Sequence, residues 1–221
     1  AQGLDPATPQ VDYHIQQQCL RALFDVVAVQ PQRLIPLLEK SEPTLFKALV
    51  LPKLTSQYSS EIRELSAKLM ALHVAQMQDV QAFCAPYLDM LHVYTTASTR
   101  EQQAMPVEKM LASIYVIGYV LSALLMSKKS ISDAFVTQSI QTLLKVITLN
   151  EDGKSYAFQY AVACCQVIGA IGAYTSIASR RVDDQQQTLI DILSEMLLDK
   201  TSTNRSIMEK LIKTIGQIAL G

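Results

Sequence analysis

Helix starts recur along this chain at a nearly constant interval, and this regularity restricts the fold more than any other feature. Apolar residues follow a spacing of about 3.6 residues in most segments, as in Ile62, Leu65 and Leu69. Segments that open near residues 12, 60, 106, 155 and 202 are roughly 46 to 49 residues apart. Such a period is typical of helix pairs stacked into a solenoid. We therefore expect an all-α fold.

Capping and turn residues divide the chain further. Pro43 and Pro106 suit the first turn of a helix, and Ser59 or Ser60 stands just before Glu61. A proline-bent turn is expected near 31–39. The predicted helices are 12–29, 43–57, 60–77, 79–95, 106–127, 132–149, 155–179, 184–198 and 202–220.

Two segments carry a family resemblance. The segment from Glu61 to Leu72, EIRELSAKLMAL, resembles the first helix of a HEAT or armadillo repeat, and the segment from Ser206 to Leu220, SIMEKLIKTIGQIAL, is similar to it. Through its repeat period the resemblance extends over 12–220. It implies a right-handed α-solenoid of about four to five helix pairs, with 12–221 as a single helical-repeat domain and 1–11 as a flexible lead-in.

The same resemblance implies a non-enzymatic scaffold or adaptor within a larger intracellular complex. Its partner would be a protein, such as an extended peptide segment or neighbouring repeats of the same parent chain. The chain lacks an initiating Met, so we expect it to be part of a longer protein. The last helix, 202–220, would then carry a bare apolar face, to be covered by further repeats or by another chain.

The charge balance and the cysteines indicate which ligands and which cellular compartment the chain suits. Nineteen basic residues face 20 acidic residues, a balance that does not favour phosphate binding by the chain as a whole. The four cysteines, Cys19, Cys84, Cys164 and Cys165, lack a CxxC spacing and sit in apolar stretches, which favours buried, reduced thiols inside the cell. We expect no metal, because no histidine has finger-like spacing to a cysteine.

Two uncharged stretches are long enough to cross a membrane. Residues 110–127 form a run of 18, and residues 155–179 form a run of 25. Tyr115 and Tyr119 fall in the middle of the first run, and Gln166 lies within the second. Interfacial aromatic residues would gather at the ends of a span, so the pattern favours buried core helices over membrane insertion.

No arrangement of residues predicts catalysis or cofactor binding. Asp89 and His92 are three residues apart, as in an ordinary surface pair on a helix. Gly169 and Gly172 lie inside an apolar helix, where we interpret them as points of close helix contact and not as a phosphate loop. The sequence therefore predicts neither an enzyme nor a cofactor.

Two candidate interaction surfaces remain. One is a basic ridge formed by two doublets about one repeat apart, Lys128 with Lys129 and Arg180 with Arg181. Solvated loop charge is one interpretation, and a contact for an acidic peptide or a phosphate is another. On the second interpretation the chain could alternatively be a HEAT segment of a nucleic-acid-associated complex, in chromosome organisation or RNA processing.

The other candidate is a polar stripe on the second helix of successive pairs. In helical solenoids such helices often line the concave face. Helical phase places Gln138, Gln141 and Lys145 on one such helix, with Asp191 and Glu195 on the next. The stripe changes from basic to acidic along its length, which suits an elongated ligand of mixed charge.

Overall fold

The computed structural model describes residues 13–55, 59–149, 155–172, 187–198 and 205–220. These residues form helices and no β-strand, so the all-α prediction is confirmed for them. The α-helices are α1 (Tyr13–Val29), α2 (Pro31–Ser41), α3 (Ser60–Val74), α4 (Val80–Thr96), α5 (Thr99–Ala104), α6 (Val107–Met126), α7 (Asp133–Thr148), α8 (Ser155–Gly172), α9 (Leu189–Leu198) and α10 (Arg205–Leu220).

Side-chain caps fix several of the helix starts. Ser59 is the cap of α3, since its hydroxyl accepts a hydrogen bond from the Ile62 amide at 3.3 Å. Asp79 caps α4 and Ser132 caps α7 in the same way. The short helix α5 was not predicted, although Ser98 and Glu101 form a capping box at its start, in which the Glu101 carboxylate accepts from the Ser98 amide at 2.8 Å.

The region between α1 and α3 differs from the prediction. Residues 31–41 form a full helix in place of a bent turn, with Pro31 in its first turn. The predicted helix 43–57 is instead a π-helix, Leu45–Val50, followed by a 3-10 helix, Leu51–Thr55. Pro52 lacks an amide hydrogen, and a regular α-helix cannot continue through it without losing a hydrogen bond.

The helices α1, α3, α6, α8 and α10 pack in chain order, each against the next. We call these five helices the row. On one side of it, α4 packs against α6 and α7, and α7 also packs against α8. α9 contacts α10. The core lies where α6 meets α3, α4 and α8, and residues from Met110 to Leu124 of α6 are buried.

α6 is the one helix in the described part of the chain that is long and apolar enough to cross a membrane. In the structure, 83% of its most apolar window is buried against other helices. Its apolar character on all sides is therefore explained by the protein neighbours that surround it.

Glycines bring the helices of the row close together. A Cβ atom on Gly118 of α6 would lie 2.1 Å from the Cβ of Val167 on α8. On α8, Gly169 faces Gln217 and Gly172 faces Ile218, both on α10. The prediction that Gly169 and Gly172 are helix contact points is confirmed, and Gly118 adds a third.

The prediction of buried cysteines is confirmed for three of the four. Cys84, Cys164 and Cys165 are buried, but Cys19 on α1 is exposed.

The two ends of the row leave apolar residues in solvent. α1 packs on α3 and α2, and Lys53 of the 3-10 helix donates to Gln16 of α1 at 2.8 Å. Ile15 and Val26 of α1 nevertheless remain more than half exposed. At the other end, α10 buries Ile207, Leu211 and Ile218, while Ile212 is 56% exposed.

Candidate functional site

The row encloses two adjoining cavities that open to solvent. The first has a volume of about 770 Å³ and is lined by residues of α1, α3, α6 and α8, with Ser59 just before α3. The second, about 640 Å³, is lined by the same four helices and by α10. Both include Phe24, Glu64, Lys68 and Gln166 in their linings. We refer to the two cavities together as the groove.

A hydrogen-bonded cluster stands where the two cavities meet. The Lys68 ammonium lies 2.6 Å from the Glu64 Oε1 atom, one turn away on α3. The Tyr119 hydroxyl on α6 donates to the same oxygen at 2.9 Å, and it accepts from the Gln166 amide on α8 at 3.2 Å. The cluster therefore ties three helices of the row together across the groove.

Lys68 also lies against two aromatic rings. Its Nζ atom is 5.1 Å from the centroid of the Tyr119 ring and 6.0 Å from that of Phe24 on α1. The ion pair with Glu64 and the ring of Tyr119 together fix the ammonium group over the floor of the groove.

Burial and charge set the protonation states in the cluster. Burial tends to raise the pKa of Glu64, but hydrogen bonds and charge from Lys68, with hydrogen bonds from Gln166 and Tyr119, outweigh it, and the pKa is lowered overall. The pKa of Tyr119 is raised by burial and by the Glu64 carboxylate. Burial, followed by the Glu64 charge, raises the pKa of Tyr115 to about 12. At neutral pH Glu64 is ionised, and both phenols are protonated.

The ends of the groove differ in charge. At the α1 end, Glu61 accepts hydrogen bonds from both Arg21 and Gln17, so its charge is compensated within the protein. At the α10 end, Lys210 and Lys213 are exposed. The α10 residues of the lining therefore include two lysines and no carboxylate, which makes this end of the groove positive.

The predicted basic ridge is described only at its first doublet. Lys128 is exposed and has a φ angle of 53°. The Lys129 ammonium donates to the backbone oxygens of Ala75, at 2.9 Å, and of Met77, beyond the end of α3. It thereby satisfies carbonyl groups that the helix leaves unpaired. Arg180 and Arg181 lie outside the described residues.

The predicted polar stripe lies on α7 and α9, away from the groove. Gln138 and Lys145 are exposed on α7, and Gln141 is half-buried. On α9, Asp191 accepts from the Thr188 hydroxyl at 2.6 Å and from its amide at 3.1 Å. Glu195 accepts from Gln187 at 2.8 Å. None of the five stripe residues lines either cavity of the groove.

The two surfaces predicted from the sequence were the basic ridge and the polar stripe, and neither prediction included the groove, which is lined by the helices of the row. A signal was nonetheless present. Tyr119 and Gln166 interrupt the two long uncharged stretches, and they served only as an argument against membrane insertion. In the structure, these polar interruptions are the residues that face the groove.

His73 lies outside the groove and packs between an aromatic ring and a carboxylate. The His73 ring stacks on Phe46, with centroids 4.1 Å apart, and its Nδ1 lies 3.3 Å from the Glu39 carboxylate. Burial lowers the pKa of His73, so the ring packs as a neutral group. Among the described residues, no group of three or more His, Cys, Asp and Glu side chains could hold a metal ion.

Comparison with known proteins gives no family assignment: the chain matches no family model, no curated protein and no solved structure.

Proposed function

We propose that this protein is a non-enzymatic, intracellular interaction scaffold built as a right-handed α-solenoid of HEAT or armadillo type. Its partner surface would be the groove along the row of first helices. The observation that carries the proposal is that this groove crosses from α1 to α10, with every helix of the row contributing to its lining.

The repeat spacing supports the solenoid. The five helices of the row begin at residues 13, 60, 107, 155 and 205, at intervals of 47, 47, 48 and 50 residues. Each packs on the next, and α4 and α7 occupy equivalent positions between them in the chain. Stacking of one structural unit on its neighbours is the arrangement that defines a repeat protein.

The groove would act by shape and by a fixed set of contacts. Its floor combines buried polar groups with apolar side chains such as Phe24 and Leu72, and most of the polar groups are already hydrogen-bonded within the protein. A preorganised, partly apolar surface binds a protein segment without first having to rearrange. The partner would be an extended segment of another protein or of neighbouring repeats.

A bulky side chain in the groove tests this proposal. Gln159 on α8 is exposed and lines the first cavity. Gln138 on α7 is also exposed but lines neither cavity. Proteins retained by a tagged chain from cell extract would be compared for wild type, Gln159→Trp and Gln138→Trp, with and without nuclease. We expect Gln159→Trp alone to release a nuclease-resistant partner.

Two results would overturn the proposal. Loss of the partner with Gln138→Trp alone would move the interaction to the polar stripe on α7 and α9. Loss of all retained material after nuclease would instead favour the nucleic-acid-associated alternative.

A further inference from the structure

We propose that the α10 end of the groove binds an acidic segment of a protein partner, one in which Asp or Glu residues alternate with apolar residues. This inference rests on the proposed function, since it specifies the chemistry of the segment that the groove would hold. The inference depends on the charges and the apolar residues of the second cavity and on the length of the groove.

The charge at this end is positive and available. Lys68, Lys210 and Lys213 line the second cavity, and Glu64 is the sole carboxylate in its lining. One oxygen of Glu64 is already shared by the Lys68 ammonium and the Tyr119 hydroxyl. Among the described residues, neither Lys210 nor Lys213 forms a salt bridge. Within the described part of the chain, these two exposed ammonium groups can meet carboxylates of a ligand.

The lining of the same cavity also contains apolar residues. They are Phe24 and Ala28 of α1, Leu72 of α3 and Met126 of α6. Met126 is 41% exposed, and Phe24 and Ala28 are half-buried, so apolar surface remains to be covered.

The polar groups of the floor are engaged inside the protein. The Ser122 hydroxyl donates to the Ala170 oxygen at 3.1 Å, and the Thr214 hydroxyl donates to the Cys165 oxygen at 2.9 Å. Binding therefore gains from apolar contact and from the charge of the lysines within one cavity.

A peptide fits these features better than a nucleic acid does. Neutralising a phosphate backbone requires a longer track of cations than two exposed lysines provide. Stacking of successive bases needs a series of exposed aromatic faces, whereas the lining of this cavity has two aromatic residues, of which Tyr119 is only 6% exposed and Phe24 is half-buried. Acidic side chains spaced among apolar ones would instead meet both the lysines and the apolar residues of the cavity.

The size of the groove sets the length of the segment. From α1 to α10 the row advances by four helix-to-helix steps, roughly 32–40 Å at ordinary packing distances. An extended chain advances about 3.3 Å per residue, so roughly ten to twelve residues would span this distance.

The test measures binding of fluorescent peptides by anisotropy. The probes are peptides of about ten residues: one alternates Asp or Glu with Leu or Phe, a second replaces the acids by Lys, and a third replaces the apolar residues by Ser. A single-stranded oligothymidine serves as the nucleic-acid probe. The protein is tested as wild type, as Lys210→Glu/Lys213→Glu, and as Lys40→Glu/Lys109→Glu.

The second pair of substitutions is the matched control. Lys40 and Lys109 are exposed and lie outside both cavities, and their reversal changes the net charge by the same amount. A general effect of charge would weaken binding equally in the two double variants, whereas a site at α10 would not.

We expect the acidic–apolar peptide to bind wild type and the control alike, and to bind Lys210→Glu/Lys213→Glu at least about tenfold more weakly. The lysine and serine peptides should bind wild type more weakly than the acidic–apolar one. Equal loss in both double variants, equal binding of the lysine peptide, or preferential binding of oligothymidine would overturn the inference.

Failure here is distinguishable from failure of the proposed function. If Gln159→Trp releases a protein partner but the acidic–apolar peptide does not bind, the groove is a partner surface of different chemistry and this inference is wrong. If Gln159→Trp releases nothing and no peptide binds, both proposals are wrong.

Discussion

α6 and α8 approach each other closely at Gly118, and this contact predicts how a substitution there changes the free energy of unfolding. In the change Gly118→Ala, the new Cβ would lie 2.1 Å from Val167 Cβ, with both Cγ atoms of Val167 within 2.8 Å. Carbon atoms pack at about 3.5–4.0 Å, so the helices must separate by roughly 1.4 Å or more at this point. No rotamer of Val167 relieves the contact, because its Cβ is fixed to the backbone.

The expected magnitude follows from two opposing effects. Overpacking in a core costs about 1–3 kcal/mol, and alanine is favoured over glycine inside a helix by about 1 kcal/mol. Separation also weakens the packing of the neighbouring side chains along α6, most of which are fully buried. We expect Gly118→Ala to lower the free energy of unfolding by about 1–2 kcal/mol.

Gly216 provides the matched control. It lies in α10, it is exposed, and an added Cβ would meet no atom within 4 Å. Gly216→Ala should therefore raise the free energy of unfolding by about 0.5–1 kcal/mol through helix propensity alone. Urea denaturation followed by far-ultraviolet circular dichroism measures both variants. If Gly118→Ala were as stable as Gly216→Ala, the argument from helix contact would be refuted.

Three further predictions follow from the contacts described above. Lys129→Met should destabilise the fold by about 1–2 kcal/mol, because it removes the donor from the carbonyl groups beyond α3, whereas Lys128→Met should change the urea midpoint little. Tyr119→Phe should cost about 1 kcal/mol at neutral pH and raise the pKa of Glu64, as measured by urea denaturation and by NMR titration. In the native protein a thiol reagent should modify Cys19 rapidly. The three buried thiols should react only on unfolding; they belong to Cys84, Cys164 and Cys165.

The sign of the pH effect at Glu64 is fixed by the direction of its shift. Its pKa is lowered in the folded protein, so it contributes stability above the ordinary carboxyl pKa and loses that contribution as the pH falls through the lowered value. The penalty of Tyr119→Phe should therefore shrink in acid. A penalty that stays constant with pH would mean that the hydroxyl acts through packing alone.

The thiol prediction rests on burial. Burial raises the pKa of Cys84 to about 12, and it does the same for Cys165. A thiol of this kind forms little thiolate at neutral pH and is also shielded from the reagent. Rapid modification of more than one thiol in the folded protein would contradict the packing of α4 and α8.

The sequence by itself determined the helical fold class and the start of most described helices. These features depend on local rules: apolar spacing, caps such as Ser132, and small residues at helix contacts such as Gly172. The change of helix type near Pro52 also has a local cause. The sequence nevertheless predicted one helix over 43–57, because apolar spacing does not distinguish π and 3-10 turns from an α-helix.

Only the tertiary structure decided which polar residues share a site. Glu64, Tyr119 and Gln166 are separated by about one repeat each, and they meet because α3, α6 and α8 pack side by side. Their meeting depends on the rotation of each helix within the row, which apolar spacing cannot fix when α6 is apolar on all sides. The same reason explains why Lys129, which looks like a solvated charge in the sequence, closes the end of α3.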